Sequence, residues 1–168
     1  MVTLRAGFFQ MSHKHAFAGA NHVSQIRVGP KREMPAEGSV LAELTIPRLQ
    51  FSSIVIEGDS AHDLRVAPGH IPGTALPGDS GNVGIAGHRD TVFRPLRMIR
   101  GSDVITLTTS RGAARYRVVS TKIVSPHDVG VLYPTSVDTL TLVTCYPFDF
   151  VGAAPNRFIV QARRVTGE

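Results

Sequence analysis

Three residues far apart in the chain have side chains suited to acyl transfer: His88, Cys145 and Arg157. His88 follows Gly84-Ile85-Ala86-Gly87, a short apolar segment with the character of a buried strand, and precedes Arg89-Asp90 at a turn. Cys145 ends the β-branched, apolar run Thr141-Leu142-Val143-Thr144. Pro147 follows two residues later and stops the ladder, because proline has no N–H to give. Arg157 opens a further alternating run after Ala154-Pro155-Asn156. If the strands carrying Cys145 and Arg157 are antiparallel neighbours, the short connection from Tyr146 to Asn156 brings both residues to one cleft. His88, at the end of its own apolar strand, would complete the group.

The chemistry explains why these types belong together. A thiol with a pKa of about 8.5 is only a few per cent thiolate at neutral pH. A neighbouring imidazole and guanidinium stabilise the thiolate or shuttle its proton. The imidazole also protonates a departing amine. The guanidinium keeps its charge and donates hydrogen bonds to a developing oxyanion or to substrate carbonyls. Each residue alone has a blander reading. A lone cysteine is usually a small buried hydrophobe, a histidine beside a strand is usually structural, and an arginine at a strand start is usually solvated. The ordered combination points to acyl transfer through a thioester.

The elements that must position these residues are short strands. The chain has 168 residues, with 16 Gly and 11 Pro, and fits one domain rich in turns. Residues 1–38 have weak periodicity and read as a flexible arm or linker; residues 39–168 read as one folded domain. Within that domain Val40, Ala42, Leu44 and Ile46 alternate with more polar neighbours, and Pro47 ends the run. Phe51–Ile56 is a second strand, Ala61–Val66 one or two helical turns, and 68–78 a loop rich in Pro and Gly. Asn82–Gly87 reads as a buried strand, and Thr91–Ile99 as a short helix with Phe93, Leu96 and Ile99 on one side. Asp103–Thr109 and Ala114–Val124 form a hairpin across Ser110-Arg111-Gly112. Leu140–Cys145 and Arg157–Val165 are the last two strands. Seven or eight short strands without a βαβ rhythm predict a mainly all-β, mostly antiparallel closed barrel or sandwich.

Composition narrows the function. The net charge is +5, but the Lys and Arg residues are scattered singly, which argues against a nucleic-acid partner. One cysteine excludes an internal disulfide and a zinc site with two or more thiolates. His13, His15 and His22 have no accompanying carboxylate or thiol and read as part of a solvated arm, so no metal or other cofactor is expected. No run of about 20 apolar residues occurs, so no transmembrane helix is expected in this chain. Met1–Gly19 lacks the basic, apolar and small-residue order of a signal peptide.

The motifs resemble those of sortases. Thr141-Leu142-Val143-Thr144-Cys145 matches the sortase TLxTC signature. Gly87-His88-Arg89-Asp90 is similar to the segment around the sortase histidine, and Arg157 falls where sortases carry their arginine. The run from Pro68 to Gly78, followed by Gly81-Asn82, also resembles the family, and the likeness covers roughly Leu44 to Val165. The segments 144–148 and 154–158 are most similar to class D sortases. The resemblance implies an eight-stranded β-barrel with a few short helices. It implies that Cys145 attacks the threonine carbonyl of an LPxTG-like sorting signal on a surface protein. His88 would act as acid and then base, and Arg157 would hold the substrate and the oxyanion. An amine of the cell wall or of a protein, rather than water, would resolve the acyl-enzyme. Thr144 would line the site, and the loop containing Ser125, Val131 and Thr135 would help to select the sorting motif. The implied location is extracytoplasmic, at the bacterial membrane or cell surface, although the family's usual terminal membrane tether is not expected in this chain. Residues 1–38 carry no Asp-Pro-aromatic lid motif, so pilin polymerisation is not expected.

Three rivals compete. Gly78-Asp79-Ser80-Gly81 is the sequence around the nucleophile of chymotrypsin-like proteases, with His62 or His70 upstream. No suitable segment surrounds either histidine, and the four residues equally make a turn. A non-catalytic barrel binding peptide or cell-wall polymer would treat Cys145 as packing. An L,D-type transpeptidase needs a Ser-His-Gly-Cys-like segment, which Thr144-Cys145-Tyr146 does not supply. Asp90 reads as an exposed turn residue, and His70 and His127 as surface loop residues.

Overall fold

The computed structural model describes residues 33–167. His13, His15 and His22, and most of the expected arm, lie outside them. Eight strands form a closed barrel: β1 (Val40–Ile46), β2 (Phe51–Glu57), β3 (Gly69–His70), β4 (Asn82–Ala86), β5 (Val104–Thr109), β6 (Gly112–Val124), β7 (Thr139–Tyr146) and β8 (Asn156–Arg164). Their order around the barrel is β1-β2-β3-β4-β7-β8-β6-β5, closed by pairing of β5 with β1. Every strand has a neighbour on each side, although β3 pairs with only Ile56 and Glu57 of β2. Of the two architectures the strand pattern allowed, the chain forms the barrel.

Two pairings run parallel, β2–β3 and β4–β7, within the otherwise antiparallel ladder. The second of these matters most. Parallel strands bring their C-terminal ends together, so β4 delivers His88 to the end of the barrel where β7 delivers Cys145. The antiparallel β7–β8 pair then returns Arg157, near the start of β8, to that same end.

The strand alternation sorts side chains onto two faces. Leu44, Ile46, Val83, Ile85, Leu107, Tyr116, Leu140, Leu142 and Val160 fill the interior. A second apolar cluster lies on the outer face of β4, β7 and β8: Ala86, Val143 and Ile159, covered by Leu64, Ile71, Val131 and Leu132. Two-sided burial explains why β4 and β7 read as nearly continuous apolar runs. Gly84 packs closely at this face: a Cβ there would come within 3.0 Å of the Leu132 and Thr74 side chains, which would have to shift.

The helical elements are shorter than expected. Of Ala61–Val66, only Asp63–Val66 (α1) is α-helical. Within Thr91–Ile99 the chain forms a 3₁₀ helix, Arg94–Met98, opened by Pro95; Phe93 and Leu96 are fully buried. Further 3₁₀ turns occur at Pro47–Leu49 and Val129–Leu132.

His70 corrects an expectation. It is not a surface residue but lies in β3 with no exposed area. Its Nδ1 is 2.8 Å from Glu57 Oε2, and its Nε2 is 2.9 Å from the Ala75 carbonyl and 3.0 Å from Thr74 Oγ1. A ring in a two-residue strand between apolar neighbours can be buried because each nitrogen has a partner. His127 is exposed, as expected.

Next to this pair, burial pushes the Asp59 carboxyl up to about 6; Asp63 and Glu57 also raise it, while a backbone hydrogen bond and His70 lower it. A carboxyl with a folded pKa above its unfolded value binds a proton in the native state that the unfolded chain has released. Its contribution to stability is therefore present below the unfolded value and lost as the pH rises through about 6. Asp59→Asn is expected to raise stability by about 1 kcal/mol near neutral pH, after allowance for partial exposure. Thermal melts of both proteins should converge as the pH falls toward about 4.

Candidate active site

Cys145 and Arg157 face each other across the β7–β8 ladder. Both project from the outer face: Cys145 shares its side of β7 with Val143 and packs against the outer cluster, and Arg157 shares its side of β8 with Ile159. Cys145 is half-buried, and Arg157 is 9% exposed. Arg157 Nη1 donates to the carbonyls of Ala154 (3.3 Å) and Asn156 (3.0 Å), which fixes the guanidinium at the mouth of the loop 147–155.

His88 enters from β4 through a short, tightly bonded turn. Gly87 N–H donates to the Val143 carbonyl (3.1 Å), and Thr144 Oγ1 donates to the Gly87 carbonyl (2.8 Å). Phe93 N–H then donates to the His88 carbonyl (2.9 Å). The histidine turn is thus tied to the two residues that precede Cys145. Gly87 has its own steric reason: a Cβ there would lie 2.6–2.8 Å from the Phe93 ring, which is fully buried. Gly87→Ala is expected to destabilise the fold by about 1–3 kcal/mol through overpacking. It should also displace His88, read as a lower denaturation midpoint together with lost activity.

The electrostatics of the thiol pull in two directions. Burial pushes the Cys145 thiol above its ordinary value; the Arg157 and Arg89 guanidiniums favour the thiolate, and the Asp90 carboxylate opposes it. Burial wins. A thiol held in this way would need a proton acceptor to serve as a nucleophile, and the His88 turn is bonded to the cysteine strand. His88 also lines a surface pocket of about 260 Å³ with Leu64, Arg65, Val66, Ala67, Thr91 and Val92. Asp90 is exposed.

The four other expected site residues separate. Thr144 has no exposed surface, and its hydroxyl holds the histidine turn instead of lining an open cleft. Ser125 is exposed and follows Val124, which pairs with Arg157, so it lies at the cysteine end of the barrel. Val131 is buried in the outer cluster, and its carbonyl accepts from Asn82 Nδ2 (2.9 Å). Thr135 bonds Val137 O and Thr139 Oγ1, at the start of β7. Cys145 is six residue steps along β7 from Thr139, about 20 Å at 3.3 Å per residue, so Thr135 lies at the opposite end. The loop between β6 and β7 thus runs the length of the outer face.

Ser80 also lies at that opposite end, just before β4, in an exposed position. His70 is committed to Glu57, Ala75 and Thr74. The GDSG segment is a turn.

Two contributors escaped the reading of the sequence. Asn82 anchors the β6–β7 loop: its Nδ2 donates to the carbonyls of Val131 and Tyr133, and its Oδ1 accepts from Thr141 Oγ1 at 2.7 Å. A lone amide in an otherwise apolar strand is the signal that was available, because a buried amide requires partners. Arg89 is the other: its Nη2 donates to the carbonyls of Phe150 (2.7 Å) and Gly152 (2.9 Å). No sequence pattern marks a contact with residues more than sixty positions away. Among the described residues, no group of three or more His, Cys, Asp or Glu side chains could hold a metal ion.

Comparison with known proteins gives a consistent picture. The Sortase domain profile matches residues 44–165. Sortase D of Bacillus subtilis (strain 168) is 37% identical over 133 residues, covering 79% of this chain and 67% of that protein. Sortase A of Listeria monocytogenes is 27% identical over 111 residues, covering 64% of this chain and 50% of that protein. Among solved structures, a Sortase D5 transpeptidase of Clostridium perfringens superposes with a TM-score of 0.72 at 30% identity, covering 78% of this chain and 82% of that one. Sortase A of Corynebacterium diphtheriae gives a TM-score of 0.72 at 31% identity, covering 79% and 64%.

Proposed function

The chain belongs to the sortase family, and from that premise we propose that it is a class D-like cysteine transpeptidase acting on sorting signals of surface proteins. The observation that carries this is the opposition of Cys145 and Arg157 on one face, with the His88 turn bonded to residues 143 and 144. The class assignment is supported by the 37% identity to Sortase D; by superposition a class A sortase matches equally well and a class C sortase nearly so.

In the proposed reaction, Cys145 Sγ attacks the threonine carbonyl carbon of an LPxTG-like peptide as its proton passes to His88. Arg157 donates to the oxyanion. The C–N bond breaks, and His88 returns the proton to the departing amine, leaving a thioester on Cys145. An incoming amine of the cell wall or of a protein gives up a proton to His88 and attacks the thioester. A new amide forms as the thioester C–S bond breaks, and the departing Cys145 thiolate takes back the proton that His88 holds. In this reading the amine approaches through the pocket that His88 lines with Leu64, Val66 and Val92. In this reading residues 39–168 are the catalytic barrel and residues 1–38 an arm. The protein works on the extracytoplasmic side of the bacterial membrane or at the cell surface; among the described residues no helix is long and apolar enough to cross a membrane.

The test is incubation with an LPxTG-type peptide library and amine nucleophiles, followed by mass spectrometry of products and protein. Cleavage after threonine, ligation of the amine and an acyl adduct on Cys145 are expected. An enzyme that leaves every peptide intact, with a thiol that resists a small alkylating reagent until unfolding, would establish the non-catalytic binding barrel instead.

A further inference from the structure

Two guanidinium groups approach Cys145 from different elements, and both hold the loop 147–155. From β8, Arg157 Nη1 donates to the carbonyls of Ala154 and Asn156, at the end of the loop. From the histidine turn, Arg89 Nη2 donates to the carbonyls of Phe150 and Gly152, in its middle, with the guanidinium carbon 5.9 Å from the Phe150 ring centroid. The beginning of the loop is anchored separately. Phe148 is buried, with the Tyr146 and Phe158 rings 6.1 and 5.3 Å away. Residues 149–153 have little apolar anchorage of their own: Val151 is 95% exposed and Phe150 is 44% exposed. The ion pair of Arg94 with Asp149 is long, at 3.5 Å, and solvated on both sides, the kind that contributes least.

We propose that Arg89 is a positioning residue of this site, clamping Phe150 and Gly152 to the histidine turn and so fixing the loop that frames Cys145 and Arg157. The consequence for turnover rests on the transpeptidase reading; the clamp itself does not. Because Arg89 follows His88 directly, one short segment carries both the imidazole and the clamp, and the loop is coupled to the acid–base group. The arrangement requires arginine. A planar fork can reach two carbonyls while lying against a ring, whereas a lysine ammonium is a point charge. Hydrogen bonds from a charged donor to two carbonyls are also the strongest class available to hold an exposed stretch of backbone. The Arg89 charge favours the Cys145 thiolate as well, which supplies a second readout.

The experiment compares the wild type with Arg89→Gln, Arg89→Lys and Arg94→Gln. Three quantities are measured: amide hydrogen exchange of residues 149–153, the pH dependence of Cys145 alkylation by iodoacetamide, and kcat and KM with a sorting peptide. In Arg89→Gln, exchange should accelerate about tenfold, the alkylation midpoint should move to higher pH, and kcat/KM should fall about tenfold. Arg89→Lys should restore the alkylation midpoint but neither the exchange nor kcat/KM. Arg94→Gln should stay within about twofold of wild type throughout. Exchange of 149–153 within about twofold of wild type in Arg89→Gln, or equal loosening in Arg94→Gln, would overturn the clamp. Exchange and alkylation need no substrate, so a wild type that fails to ligate any amine refutes the transpeptidase reading while the clamp is still judged.

Discussion

Cys145→Ala is expected to reduce transpeptidation by at least about 10⁴-fold, to background, while leaving the barrel folded. The two halves of this result have separate causes. Activity disappears because alanine has no nucleophile, and no other cysteine exists in the chain to replace it. The fold survives because Cys145 is only half-buried and sits at the margin of the outer cluster, so one sulfur leaves a small gap. Thermal melts should differ by less than about 1 kcal/mol. Product detected at wild-type rate from the alanine variant would end the proposal. The same thiol has a readable pH dependence. Burial raises it above the ordinary value, so the thiolate fraction at neutral pH is smaller than that of an exposed cysteine. Alkylation should therefore accelerate with rising pH, with a midpoint above that of a free cysteine. A midpoint below it would show that the Arg157 and Arg89 charges outweigh burial.

Arg157→Ala is the second large effect, an expected loss of about 10²–10³ in kcat/KM, the range for removing an oxyanion donor. Arg157→Lys should recover only part of this loss, because an ammonium keeps the charge without the planar fork. The two measurements together distinguish charge from geometry. If charge alone mattered, lysine would restore the rate. Removing Arg157 also deletes the larger of the two guanidinium effects favouring the thiolate, so the alkylation midpoint should climb further than in the wild type. The loop 147–155 should loosen at its far end, since the carbonyls of Ala154 and Asn156 lose their donor. A variant with unchanged kcat/KM would show that Arg157 serves the loop and not the reaction.

Much of this molecule is visible in local pattern. The alternation of Ala42, Leu44 and Ile46, the apolar run ending at Cys145 and the alternation after Arg157 each locate a strand to within a residue or two. Period 2 and a stop signal are local properties, and these segments display both. The residue types with acyl-transfer chemistry are likewise a property of composition and order. Residues 33–38 lie on the boundary of the expected arm, and Gly38 N–H already donates to the Glu57 carbonyl at 2.8 Å.

Direction and neighbourhood were decided only in three dimensions. Nothing in residues 82–87 or 139–146 specifies that these strands pair, and pair parallel, yet that pairing alone brings His88 to the cysteine end of the barrel. The two-residue strand β3 is too short to show a period, and so His70 read as a loop residue although it is buried against Glu57. Thr144 and Cys145 are adjacent in sequence but lie on opposite faces of β7, one tying down the histidine turn and the other meeting Arg157. Thr135 and Ser125 bound one loop but lie at opposite ends of the barrel. Arg89 acquires its partners only when the loop after β7 folds back over the histidine turn. The physical reason is common to all of these. A strand's own pattern records which side chains are buried, whereas the partner it bonds to is set by long-range packing of both faces, and only closure of the barrel fixes that choice.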